Sequence, residues 1–184
     1  MKISFTQICR EYHALRGESP DLSPLLDEDE YSPVLSIERE LGARLLPAAI
    51  EATLGTPLPL LDEIRSVTLT PVRREGILCI DAPKDYLRFI SLKLSDNPEP
   101  VKRPEREGLR YSLGASAPPW MITPANPMVT EHPSPESTTL RIYGSAGGPV
   151  ILTYVPMPEF DGVTLTISRH AYYRLQILCL RKEN

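Results

Sequence analysis

"SVTLTPVRREGILCID", residues 66–81, decides the fold. Val67 and Leu69 alternate with Thr68 and Thr70, the period of two that marks a half-buried strand. "RREG" supplies a turn, and "ILCID" returns as the second strand of a hairpin. Before this stretch the apolar residues recur at three and four. After it they recur at two.

Downstream, "YLRFISLKLS" (86–95) places Leu87, Phe89 and Ser91 on one side and Arg88, Ile90 and Leu92 on the other. "LRYSL" (109–113), "TTLRIYG" (138–144), "VILTYV" (150–155) and "VTLTIS" (163–168) continue the pattern, with a tight turn at Gly147-Gly148. About seven short strands with no helix of crossover length between them predict an antiparallel sandwich or barrel, not a parallel sheet.

Upstream, Ser4 and Gln7 have the spacing of a capping box. Phe5, Ile8, Cys9, Tyr12 and Leu15 then form one helical face that stops at Gly17. Ser32-Pro33 opens a second helix. Val34, Ile37, Leu41, Leu45, Ala48 and Ala52 form its stripe, Leu46, Ile50 and Leu54 widen it, and Gly55 ends it. Pro47 inside this run predicts a kink or two short helices. Ser168 caps a last helix, in which Ala171, Leu175 and Leu178 are flanked by Tyr173, Ile177 and Leu180. An apolar arc that wide predicts two covered faces. The chain therefore reads as one α+β domain. It has a helical part (1–66), a β part (67–168) carrying a proline-rich arm (95–135), and a C-terminal helix (169–184).

Proline is the compositional outlier, 20 of 184 residues, and nine of the twenty lie between Ser95 and Pro135. Proline fixes φ and removes a backbone donor, so this stretch predicts loop and extended chain. Trp120, Met121 and Ile122 within it argue against plain disorder. With a net charge of −4, a basic nucleic-acid footprint is absent overall. Residues 1–66 carry 12 acidic and 6 basic side chains, and residues 67–184 carry 12 and 14. That asymmetry suits contact between copies as well as ordinary surface variation. Cys9, Cys79 and Cys179 sit in apolar patterns at wide spacing, which predicts buried thiols in a reducing compartment. No signal peptide or membrane-spanning run is visible, so a cytoplasmic protein is expected.

Catalytic signatures are missing from the sequence. His13, His132 and His170 are far apart, and no HExxH, CxxC, GxSxG, Walker or dinucleotide motif occurs. No cofactor and no enzymatic activity are expected. The residues that stand out suit interaction instead. Lys102, Arg103, Arg106 and Arg110 cluster in "KRPEREGLR", interleaved with Glu105 and Glu107. Trp120 sits in "SAPPWMITPANP". In "DAPKDYLRFI", Pro83 presets a turn, Asp85 is placed to accept the turn's backbone N–H groups, and Arg88 faces away from Leu87 and Phe89.

The order of these parts carries a resemblance. Two N-terminal helices precede a β region entered through Pro83, Asp85, Tyr86, Leu87 and Arg88. A proline- and Trp-bearing excursion then precedes "TTLRIYG", and a helix with paired tyrosines closes the chain. This resembles the head–tail adaptor ring proteins of short-tailed bacteriophages, in particular the crAss-like group of Bacteroidales. The resemblance implies a non-enzymatic virion protein, assembled in the host cytoplasm into a closed ring of about a dozen copies. It implies contacts with itself, with a portal protein, with the next tail component and transiently with packaged DNA, and none with a membrane. Two other classes are compatible with the residues: a glycan-binding β-sandwich with Trp120 as stacking platform, and an enzyme whose site is assembled from scattered acids.

Overall fold

The computed structural model describes residues 1–15, 17, 33–102, 104, 122, 126–135 and 137–181, with side chains outside 33–38 and 179–181. The fold is α+β. Its helices are α1 (Phe5–Leu15), α2 (Pro33–Gly55) and α3 (Arg169–Arg181). Its strands among the described residues are β1 (Lys2–Ser4), β2 (Arg65–Leu69), β3 (Val72–Arg74), β4 (Ile77–Asp81), β5 (Tyr86–Leu94), β6 (Met128–Pro133), β7 (Thr138–Tyr143), β8 (Val150–Pro156), β9 (Glu159–Phe160) and β10 (Thr164–Thr166). The chain divides into two compact units, one of residues 1–63 with 157–184 and one of residues 64–156.

The first unit combines the three helices with a small antiparallel sheet ordered β1-β10-β9. The "VTLTIS" strand belongs here, with Leu165 opposite Ile3 and Phe160, not with the strands that precede it. Ser4 Oγ accepts the Gln7 N–H at 3.2 Å, so the expected N-cap forms. The Gln7 amide turns instead to Glu11 Oε1 at 2.9 Å.

α2 is one continuous helix. Pro47 removes the bond to the Ala43 carbonyl, but both residues are on the exposed side, where water can satisfy that carbonyl. The buried stripe runs Leu41, Leu45, Ala48, Ala49, Ala52 and Thr53, while Leu54 is exposed. Thr53 and Thr56 are also buried, and their hydroxyls donate back to the Ala49 and Ala52 carbonyls at 2.8 Å each. Small residues therefore form much of the surface that α2 presents to α3. α3 buries Ala171, Tyr172 and Leu175, but Tyr173 and Ile177 are more than half exposed. Two covered faces are expected from the sequence, but among the described side chains only one face is covered. At the N-terminus of α3 the buried Ser168 hydroxyl makes no hydrogen bond among the described residues, so the expected side-chain cap does not form.

The second unit is a sandwich of a three-stranded sheet, β2-β8-β5, and a four-stranded sheet, β3-β4-β7-β6. Among the described residues its strand pairings are all antiparallel. Leu78, Ile80, Phe89, Leu92, Leu94, Val129, Leu140, Ile142, Val150, Leu152 and Tyr154 fill the space between the sheets. The β3–β4 hairpin turns on Glu75 and Gly76, both at positive φ (51° and 82°), the geometry of a two-residue primed turn. Arg74 clamps it from outside with two bonds to Asp81, at 2.6 and 3.0 Å.

Two strand expectations change. β5 carries bulges between Tyr86 and Arg88 and between Phe89 and Ser91. Each shifts the phase, so Phe89, Leu92 and Leu94 share the buried face that strict alternation would divide. β6 forms inside the stretch expected to hold only "LRYSL". Met128, Val129 and Thr130 are buried there, and Pro133 is tolerated because it ends a strand at the sheet edge. "LRYSL" itself lies outside the described residues.

Candidate functional site

The proline-rich arm is rooted in the sandwich, and its roots are the best-defined polar construction in the second unit. The first root is β5. Pro83 sets the turn that enters it, closed by the Tyr86 N–H donating to the Pro83 carbonyl at 2.9 Å. Asp85 does not serve that turn as expected. Its carboxylate accepts the Tyr154 hydroxyl at 2.9 Å and the Arg65 guanidinium at 2.5 Å.

The neighbouring phenol, Tyr86, donates to Glu131 on β6. The Tyr86 and Tyr154 rings pack at 5.7 Å between centroids, tilted by 36°. Burial, then the Glu131 contact, pushes the Tyr86 phenol well above its ordinary value. Burial, then Asp85, does the same to Tyr154. Both phenols are therefore protonated donors at neutral pH. The network joins β2, β5, β8 and β6, with each carboxylate tied to a donor. It is a clamp between these strands.

Beyond β5 the chain is pinned at three places. Asp96 accepts the Ser145 hydroxyl at 2.9 Å and the Ala146 N–H at 2.7 Å. Ser95 donates to the Gly147 carbonyl at 3.0 Å, and a Cβ on Gly148 would fall 2.5 Å from Ser95 Oγ. That close approach, together with φ of +102°, is why glycine stands at 148. Asn97 is buried and accepts the Glu99 N–H at 3.0 Å. Val101 then folds back on β5 and exchanges two backbone hydrogen bonds with Leu92, at 2.8 Å each.

β5 is an edge strand, and this single bridge covers part of its free side. The second root is β6, an edge strand of the other sheet. The Tyr86–Glu131 bond ties the two roots together, so the arm leaves and re-enters on one side of the sandwich.

Of the residues singled out in the sequence, Arg88 is half-buried on β5, opposite Val155, and Lys102 is exposed one residue past the Val101–Leu92 bridge. Both belong to this edge. Arg103, Arg106, Arg110 and Trp120 lie outside the described residues. Sequence reasoning missed Arg65, Glu131 and Tyr154, because nothing in their spacing links them to Asp85 and Tyr86. Among the described residues, no group of three or more His, Cys, Asp or Glu is placed to hold a metal ion. Cys9 and Cys79 are buried and are not joined in a disulfide. No described helix is long and apolar enough to cross a membrane. No protein-family model matches the chain, and no curated protein matches it.

Proposed function

We propose that this protein is a structural assembly subunit, a head–tail adaptor that forms a ring between a phage portal and the next tail component. The observation that supports this reading most is the rooting of the arm. A rigid sandwich holds both ends of a proline-rich excursion at one edge, through the Val101–Leu92 bridge and the Tyr86–Glu131 bond. Such an arm buries area on a neighbour without a core of its own, and its prolines reduce the ordering cost. A closed ring of identical copies needs two different complementary surfaces on each copy. The arm root on the second unit and the exposed Tyr173–Ile177 face of α3 on the first are two such surfaces. The net charge of −4 suits a channel through which DNA slides without sticking.

The test is deletion of residues 103–125 with a short glycine-serine bridge. This cut spares buried Asn97 and the Val101–Leu92 pairing. The expected result is a chain that melts within a few degrees of the intact one and no longer assembles on portal particles, read by native mass. Unchanged assembly would contradict the arm's role.

A further inference from the structure

We infer that the outer edge of β2 is a pairing site for the same edge of a second copy of this chain. The two sheets of the second unit end in four edge strands, β2, β5, β3 and β6. An open strand edge is a template for another strand, and folded proteins guard theirs with bulges, prolines, charges or short length. Three of these edges are guarded. β5 has two register shifts and the Val101 bridge. β3 is three residues long, all exposed, and two of them are arginines. β6 starts after Pro127 and ends on Pro133.

β2 carries none of these guards. Its five residues pair with β8 in unbroken register, without proline or glycine. Its one charge, Arg65, stands at the end of the strand and is held by Asp85. Ser66 and Thr68 are exposed, while Val67 and Leu69 pack against the sandwich core and stay only partly buried. An added strand would extend the backbone ladder and cover the remainder of those two side chains. Among the described residues no strand lies along this edge.

The sequence of β2 selects its own copy as the occupant. In an antiparallel pair centred on Val67, Val67 meets Val67, Ser66 meets Thr68 and Arg65 meets Leu69. The exposed Ile64, just before the strand, meets Thr70. A β-branched pair and hydroxyl pairs stand opposite each other, and no like charges do. The two-fold axis closes the contact at two copies and joins the three-stranded sheets of both into one. Five paired residues a side bury far less than the roughly 800 Å² per partner of a stable complex, so the pair is weak and reversible. This contact does not depend on the ring reading.

The test is sedimentation of the full-length protein over a range of concentrations, combined with amide hydrogen exchange of residues 66–69. A dimer that grows with concentration is expected, with slower exchange in β2 as it forms. Ser66→Lys together with Thr68→Lys places like charges opposite each other twice and should weaken the pair about tenfold. Ser66→Glu together with Thr68→Glu should do the same, and an equimolar mixture of the two variants should restore pairing. Both positions are exposed, and the exchange measurement on the natural chain needs neither variant. Exchange in β2 that ignores concentration, variants as dimeric as the natural chain, or a mixture that fails to pair would each overturn the inference. A natural chain that stays monomeric up to about 1 mM would overturn it too, and would leave the edge to a strand of another protein.

Discussion

The Tyr86 hydroxyl and the Glu131 carboxylate tie two strands whose pairing partners lie in different sheets. Replacing Tyr86 by Phe leaves Glu131 without this donor in a half-buried place and should lower stability by about 1–2 kcal/mol. The pH dependence has a definite sign. The Tyr86 pKa is raised in the folded state, by burial first and by Glu131 second. Its contribution is therefore complete below the unfolded tyrosine value of about 10 and declines as pH rises above it. Urea titrations at pH 8 and pH 11 should show a larger loss for the natural chain than for Tyr86→Phe. Equal losses would remove Tyr86 from the clamp. Sequence reading reached Asp85 and Tyr86 as a turn entry but gave Asp85 the wrong partners. Those partners, Arg65 and Tyr154, are brought in by strand pairing, which leaves no local trace.

At the scale of elements, period carried most of the information. The hairpin of β3 and β4, the strands β5, β7 and β8, and the two terminal helices were legible because one face of each is buried. What was lost has physical causes. The bulges in β5 are set by pairing with β8, so alternation alone misassigns Leu92. β6 hides behind Pro127 and Pro133, which read as breakers although both are compatible with the end of an edge strand. α2 survives Pro47 because the freed carbonyl faces outward. Ala49 and Ala52, fully buried on α2, report a close helix approach that small side chains permit and hydrophobic stripes do not flag. Ala52→Leu should overpack that contact and cost about 1–3 kcal/mol, seen as a lower urea midpoint with an unchanged slope. A midpoint within error of the natural chain would mean that the helices separate freely there.

At the scale of the whole molecule, the α+β class was legible and the division into units was not. Residues 157–168 read as the last part of the β region, yet β9 and β10 pair with β1 in the helical unit. That pairing joins the two ends of the chain, and local periodicity carries no signal for it. The same long-range closure brings Glu11 of α1 to Tyr172 of α3, far apart in sequence. The asymmetry between an acidic N-terminal third and a faintly basic remainder was visible from composition. The most direct measurement is the native mass of the purified full chain, alone and mixed with portal particles, followed by imaging of any large species. The proposed adaptor predicts saturable binding and a closed ring of many copies on the portal. A strict monomer that leaves portal particles bare would contradict it.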